Sequence, residues 1–223
     1  MKTWIVIAAY NEGTVIREVV EGVKKLYPNV VVTDDSSTDS TVDEARAGGA
    51  IVLEHLINRG QGAALKTGIT YALRQGAEAV VTFDADGQHD PNEIAGLLES
   101  LEKNEVDIVL GSRFIKSGSN VPPLRRMALK AGILFTRVMS RINVTDTHNG
   151  FRAMNRVAAE KIKIVQDRMA HASEILDEIV YHKLRYKEVP VTITYSYYST
   201  EKGQKTSALF KIAFKILAHK LTH

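Results

Sequence analysis

Two hydrophobic periods alternate along the first half of the chain. Thr3–Ala9 is an unbroken apolar run, the pattern of a strand covered on both faces. Residues 14–26 then place Val15, Val19, Val23 and Leu26 at helical spacing, and Pro28 stops them. A β-branched run at residues 30–33 predicts a second strand, closed by Asp34-Asp35. Residues 39–46 read as a short helix whose acidic start suits its N-terminus, with Asp39 as its cap. Strands are expected at 50–54, 79–83 and 106–111, and helices at 62–75 and from Pro91 to about Lys103, the last capped by Asp90.

The second half is less regular. Residues 124–142 predict a long basic amphipathic helix, 150–154 a short strand, and 155–164 and 173–184 two helices. Residues 188–195 alternate like a strand, 196–205 are polar and loop-like, and 207–221 close the chain as a helix. Repeated strand–helix units imply an α/β fold with a mostly parallel, doubly wound sheet and right-handed crossovers. The expected organisation is one domain over residues 1–195 and an extension over 196–223, consisting of a basic loop and an amphipathic helix.

The 223 residues, 44% hydrophobic and 25% charged, suit a globular protein. There is no cysteine, so no disulfide framework, thiolate metal site or cysteine nucleophile is available. Residues 1–4 run straight into the first strand without signal-peptide architecture, and no stretch approaches the ~20 apolar residues of a membrane span. A cytoplasmic location is the resulting expectation. The net charge of +3 conceals a division: residues 1–112 carry 9 basic and 18 acidic side chains, whereas 113–180 carry 12 and 6, and 181–223 carry 8 and 2. An acidic half followed by a basic half suggests two tasks.

Ligands of open parallel sheets bind outside the carboxyl ends of the strands. Those ends carry Ala9-Tyr10-Asn11-Glu12, Asp34-Asp35-Ser36-Ser37, Asp84-Ala85-Asp86-Gly87-Gln88 and Gly111-Ser112-Arg113. Acids crowded on one rim repel unless a cation or hydrogen-bond donors are present. Asp84 and Asp86, with Gln88 as a neutral oxygen, suit a hard divalent ion that shares its remaining positions with phosphate and water. Neither GxxxxGK[ST] nor GxGxxG follows the first strand, which counts against P-loop and Rossmann dehydrogenase readings. His55, His89, His148 and His171 lack zinc-site spacing, and no nucleic-acid module accompanies the basic half.

These segments, together with Asn58-Arg59-Gly60-Gln61-Gly62-Ala63-Ala64, His89-Asp90-Pro91, Asp146 and Gly150-Phe151-Arg152, occur in the order found in family 2 glycosyltransferases of GT-A fold. The chain resembles in particular the dolichyl- and polyprenyl-phosphate sugar synthases, over roughly residues 3–195. The resemblance implies that Tyr10 and Glu12, with the backbone of Ala8 and Ala9, line a nucleotide pocket, and that Asp35 bonds the base. It implies that Asp84, Asp86 and Gln88 hold Mg²⁺ or Mn²⁺ on the donor diphosphate. Arg113, Arg125 or Arg126, and Arg152 would contact phosphate, and Glu174 would be an active-site acid. Lys202 and Lys205, flanking Gly203, fall where such synthases carry a mobile basic loop.

The acceptor can be weighed by its acidity. A sugar hydroxyl needs a general base, for which Glu174 or Asp146 would serve. A phosphate monoester, with a second pKa near ~6, is already largely dianionic at pH 7 and needs cationic positioning instead. The basic residues between 113 and 141 favour the phosphate. The expected reaction is therefore transfer from a UDP- or GDP-linked sugar to polyprenyl phosphate, with a saccharide hydroxyl as the alternative acceptor, and the family resemblance implies inversion at the anomeric carbon. In residues 207–221, Leu209, Phe210, Phe214, Ile216, Leu217 and Leu221 form one stripe and Lys211, Lys215 and His219 the other, an interfacial pattern. It implies peripheral attachment at the cytoplasmic membrane face and leaves room for a small integral membrane partner. A sugar-phosphate nucleotidyltransferase would need a Gly-rich phosphate loop after strand one, which Tyr10-Asn11-Glu12-Gly13-Thr14 is not. The intact acidic pair argues against a merely sugar-nucleotide-binding protein.

Overall fold

The computed structural model describes residues 1–116, 132, 133, 136, 137 and 140–194. The elements, in chain order, are β1 (Thr3–Ala9), α1 (Ile16–Lys24), β2 (Val30–Asp34), α2 (Thr41–Ala47), β3 (Ile51–Glu54), α3 (Gln61–Arg74) and β4 (Ala79–Asp84). A single 3₁₀ turn, Pro91–Glu93, leads into α4 (Ile94–Glu102). There follow β5 (Ile108–Ser112), β6 (Arg152–Asn155), α5 (Arg156–Lys161), α6 (His171–Tyr181) and β7 (Tyr186–Pro190). The chain forms the expected α/β architecture: a seven-stranded sheet of order β3-β2-β1-β4-β6-β5-β7.

The sheet is parallel except at β6, which runs antiparallel to both β4 and β5. The reversed strand was not legible as such in the sequence. It returns the chain from the end of β5 and puts Arg152 and Gly150 beside the end of β4, with Arg152 opposite Thr82. The uninterrupted apolar run of β1 has a simple cause. Ile5 and Ile7 face a core with Val20, Val23, Phe83 and Leu97, while Trp4 and Val6 face a second core with Leu65, Ile69, Met154 and Ile175. Helices α1, α2 and α4 cover the first face, and α3, α5 and α6 cover the second.

Element ends moved where side chains intercept the backbone. The strand expected at 188–195 is β7, two residues earlier at its start. Pro190 brings no N–H, Val191 N still donates to Ser112 O, and Thr192 N is taken by both carboxylate oxygens of Glu93 at 3.0 Å. Helix α2 begins at Thr41. Asp39 accepts from Thr41 N at 3.0 Å and also from Gly13 N at 3.0 Å, so it ties two loops together rather than only capping a helix. Asp90 does cap, accepting from Asn92 N at 2.9 Å. Of the helix expected at 124–142, residues 132, 133, 136, 137 and 140 are helical and Arg141 and Ile142 lie beyond it; the rest, like residues 195–223, falls outside the described residues.

The amino end of β5, opposite the site described below, is held by Asp107. Its carboxylate accepts from Arg185 N (2.9 Å), Nε (3.1 Å) and Nη2 (2.8 Å) and from Asn155 Nδ2 (3.1 Å). The Arg185 side chain is the chief reason that this carboxyl is lowered from 3.8 to about 2. A depressed carboxyl contributes stability above its unfolded pKa and loses it as pH falls through its folded one. Asp107→Asn should therefore lower the thermal midpoint at pH 7 by about 3–12 °C, the scale of one lost charged hydrogen bond in a domain of this length. Followed by circular dichroism, wild type and variant should converge as pH is lowered from 4 to 2; a gap of constant size would refute the assignment.

Candidate active site at the carboxyl ends of the strands

The loops after β1 and β2 interlock. Asn11 and Ser36 take positive φ, 54° and 65°, a conformation that Asn tolerates through local side-chain bonding. Asn11 N donates to Ser37 Oγ at 2.8 Å, and Asn11 Oδ1 accepts from Thr38 N at 2.8 Å. Asp34 accepts from Ser37 N at 2.9 Å and from its hydroxyl. Glu12 N donates to Thr41 Oγ1 at 2.7 Å. Ala8, Ala9, Tyr10, Glu12 and Asp35, all expected in a nucleotide pocket, thus lie on two adjacent strand ends, and the Tyr10 ring is exposed.

Asp35 is buried and already occupied. Its Oδ1 accepts from Arg59 N (3.0 Å) and pairs with His55 Nδ1 (2.8 Å), and its Oδ2 accepts from Gly60 N (2.5 Å). His55 Nε2 reaches Thr67 Oγ1 on α3 at 2.9 Å. A carboxylate offers about four acceptor positions, so with these described partners roughly one remains, on Oδ2. Asp35 therefore also organises the loop between β3 and α3, a role the sequence reading did not assign.

That loop carries Asn58-Arg59-Gly60-Gln61-Gly62-Ala63, and its glycines have a steric cause. Gly60 has φ +106°, and a Cβ there would stand 2.8 Å from Asp167 O. A Cβ at Gly62 would collide with Gln166 O. Ala63 N donates to Asp167 O at 3.0 Å, and the Arg59 guanidinium grips the Asp167 carboxylate at 3.0–3.2 Å. Glu174, expected as an active-site acid, is a clamp on the same segment: its Oε2 accepts from Val165 N and Gln166 N, both at 3.0 Å.

Asp84 and Asp86 stand at the end of the central strand β4. Asp84 Oδ1 accepts from Gln61 Nε2 at 3.2 Å, and its Oδ2 pairs with His89 Nε2 at 3.0 Å. Gly150 passes so close that a Cβ would strike both carboxylate oxygens of Asp84. Burial raises the Asp84 carboxyl, but the His89 bond and the fields of His89, Arg152 and His171 outweigh it and hold it below the ordinary value. Asp86 goes the other way, to about 6, through burial and then the charge of Asp84. Gln88 contributes its backbone, with N donating to Asp86 Oδ1 at 3.1 Å and O accepting from Thr194 N at 3.1 Å.

Buried cationic and aromatic groups support the pair from behind. His89 lies between the Phe83 and Phe151 rings, with centroids 5.4 and 4.8 Å away. Arg152 is buried, and burial lowers it to about 10 against the pull of Asp84 and Asp146. Burial, then Arg152, lowers His171 to about 4, so its ring is neutral at pH 7. Nη1 of Arg152, Nδ1 of His89 and Nδ2 of Asn149 have no hydrogen-bond partner in the described structure.

The residues fit a divalent cation. Two neighbouring carboxylates repel until positive charge arrives, and the Asp86 carboxyl is raised by burial first and by the Asp84 charge second. Among the described residues no group of three or more His, Asp or Glu side chains forms a protein-only cage. Mg²⁺ and Mn²⁺ suit such an arrangement because they retain water and substrate phosphate in their coordination.

Arg113 and Asp146 pair with each other. Arg113 Nε donates to Asp146 Oδ2 at 2.6 Å and Arg113 N at 3.2 Å, and both side chains are buried. Asp146 Oδ1 also accepts from His148 N at 3.3 Å. The structure thus makes Asp146, expected as a general base, the holder of Arg113. Arg125, Arg126, Lys202 and Lys205 lie outside the described residues.

Comparison with known proteins yields one family. The model for Glycosyl transferase family 2 matches residues 4–163. An uncharacterized protein of Methanocaldococcus jannaschii is 36% identical over 98% of this chain and 92% of its own length. The UDP-N-acetylglucosamine–dolichyl-phosphate N-acetylglucosaminyltransferase of Methanococcus voltae is 30% identical over 98% of this chain and 96% of its own. Glucosyl-3-phosphoglycerate synthase of Mycobacterium tuberculosis, crystallised with Mn²⁺ and UDP-glucose, shares the fold: TM-score 0.77, 18% identity, covering 99% of this chain and 78% of that one.

Gly150→Ala should push the Asp84 carboxylate out of place and weaken Mn²⁺ binding in the presence of nucleoside diphosphate at least tenfold, measured by the electron paramagnetic resonance of free Mn²⁺. Gly96→Ala, where a Cβ meets nothing within 4 Å, is the control and should bind as wild type. Equal binding by both variants would show that the Gly150 contact does not shape the site.

Proposed function

The chain belongs to the family 2 glycosyltransferases, and from that membership we propose that it moves a sugar from a nucleoside-diphosphate donor to a polyprenyl phosphate at a membrane surface, with inversion at the anomeric carbon. The observation that carries the choice of acceptor is the engagement of both candidate bases. Asp146 is bonded to Arg113, and Glu174 to the 165–166 backbone, while Arg113 is fixed at the end of β5. An acceptor that arrives as a dianion needs no base, only cationic positioning. The activities named for the Methanococcus voltae relative and for the polyprenol monophosphomannose synthase of Mycolicibacterium smegmatis, 29% identical over 95% of this chain, support the same class.

In this reading Tyr10, Glu12 and the Ala8–Ala9 backbone line the nucleoside, and the remaining acceptor position of Asp35 takes a base N–H. Asp84 and Asp86, with Gln88, hold Mg²⁺ or Mn²⁺, which when bound supplies positive charge to the departing diphosphate. Arg113 orients phosphate, and the buried Arg152 adds positive potential from beneath. The acceptor oxygen attacks the anomeric carbon as the bond to the diphosphate breaks on the opposite face. Arg125 or Arg126 would add a phosphate contact. Lys202 and Lys205 follow Thr194, which is bonded to Gln88, by eight and eleven residues, within a chain reach of about 25–40 Å. No helix among the described residues is long and apolar enough to cross a membrane. Residues 207–221 would provide surface attachment, alone or with a small integral membrane protein, at the cytoplasmic face.

A radiolabelled-sugar screen tests the reading, using UDP- and GDP-linked sugars with Mg²⁺ or Mn²⁺, with and without polyprenyl phosphate. Label should enter a lipid-extractable product only when the lipid phosphate and metal are both present. Chelation should abolish transfer, and Asp86→Asn should reduce it at least 100-fold. Label in a soluble glycan, with none in lipid, would replace the phosphate acceptor by a saccharide hydroxyl.

A further inference from the structure

We propose that Glu188, on β7, is a positioning residue for this transfer and that it sets the guanidinium of Arg113 through the two-residue step Thr145-Asp146. The inference rests on the role given above to Arg113. Glu188 stands in register with Leu110 of β5, two residues before the strand ends at Ser112. Its carboxylate accepts from Thr145 N at 2.8 and 2.9 Å, from Thr145 Oγ1 at 3.0 Å and from Asp146 N at 3.2 Å. Thr145 Oγ1 also meets Ser112 Oγ at 2.7 Å, and Ser112 Oγ accepts from Phe114 N at 3.2 Å. The residues on both sides of Arg113 are thereby stitched to the step that Glu188 holds, and Asp146 of that step grips Arg113 itself.

The arrangement is costly unless it serves a purpose. Residues 141–151 form neither helix nor strand, so their amides need acceptors from elsewhere. Glu188 supplies them from a half-buried position facing Asp146, and both burial and that neighbouring charge raise its carboxyl. Two acids are thus held on either side of one short step. One accepts its amides and the other faces the guanidinium, so rotating the step swings Asp146 and Arg113 together. Lys187, next to Glu188, bonds Ser100 Oγ at 3.2 Å and takes no part in this contact.

The test uses the full chain with the variants Glu188→Gln, Asp146→Asn and both together. The reporter is the Arg113 Nε–H cross-peak in a nitrogen–proton NMR spectrum, identified by its absence in Arg113→Lys. Glu188→Gln should speed exchange of this proton at least tenfold and lower the transfer rate about tenfold, with the donor KM unchanged. The double variant should lose no more than Asp146→Asn alone, because the two residues act as one unit. Thr145→Val should reproduce the effect and Thr145→Ser restore it, which decides the matter should Glu188→Gln not fold. An unchanged cross-peak, or losses that multiply in the double variant, would overturn the proposal. Absence of transfer to any polyprenyl phosphate by the wild type would instead refute the proposed acceptor, and the cross-peak would still decide whether Glu188 sets Arg113.

Discussion

The organising constraint is the repulsion between Asp84 and Asp86 at the end of the central strand. Like charges a few ångströms apart near a protein surface cost on the order of 3–4 kcal/mol, and burial adds to that cost. The surroundings share it out unequally. Gln61 and His89 bond Asp84, and Arg152 lies beneath it, so this carboxyl stays ionised. Among the described residues Asp86 accepts one backbone bond, from Gln88, and its carboxyl is raised. Gly150 is bare at Cα because Asp84 fills the space where a side chain would go.

The same economy recurs around the rim, where several described loops are each held by a carboxylate of another element. Asp39 holds the β1 loop, Asp35 the β3 loop, Glu174 the 165–166 segment, Glu93 the chain after β7 and Glu188 the 145–146 step. Hydrogen bonds from amides to charged acceptors contribute roughly 1.5–3 kcal/mol each. Long loops without regular structure can therefore keep a defined shape above a sheet that fixes only their ends. The acidic character of the first half has two sources in consequence: carboxylates crowded at the end of the central strand and carboxylates that brace backbone.

Much of this was legible along the chain. The two hydrophobic periods, the proline and the acidic strand ends indicated an α/β sheet with its chemistry on one rim, because local pattern and burial obey the same periodicities. The ordered motifs pointed to the family that the comparisons then showed. The reversed direction of β6 was not legible, since a four-residue strand pattern reads alike in either direction. The duties of Glu174, Asp146 and Glu188 were equally hidden. The partners that define these duties lie 8 to 43 residues away along the chain, and no spacing rule connects them.

The sequence by itself determined which residue types stand at the strand ends, because strand length and turn chemistry are local properties. Only the tertiary structure decided which of the candidate acids remain available to a ligand. Availability depends on the donors that folding brings within 3 Å, and for Asp35, Asp146 and Glu174 those donors come from other loops, whereas for Asp86 they largely do not.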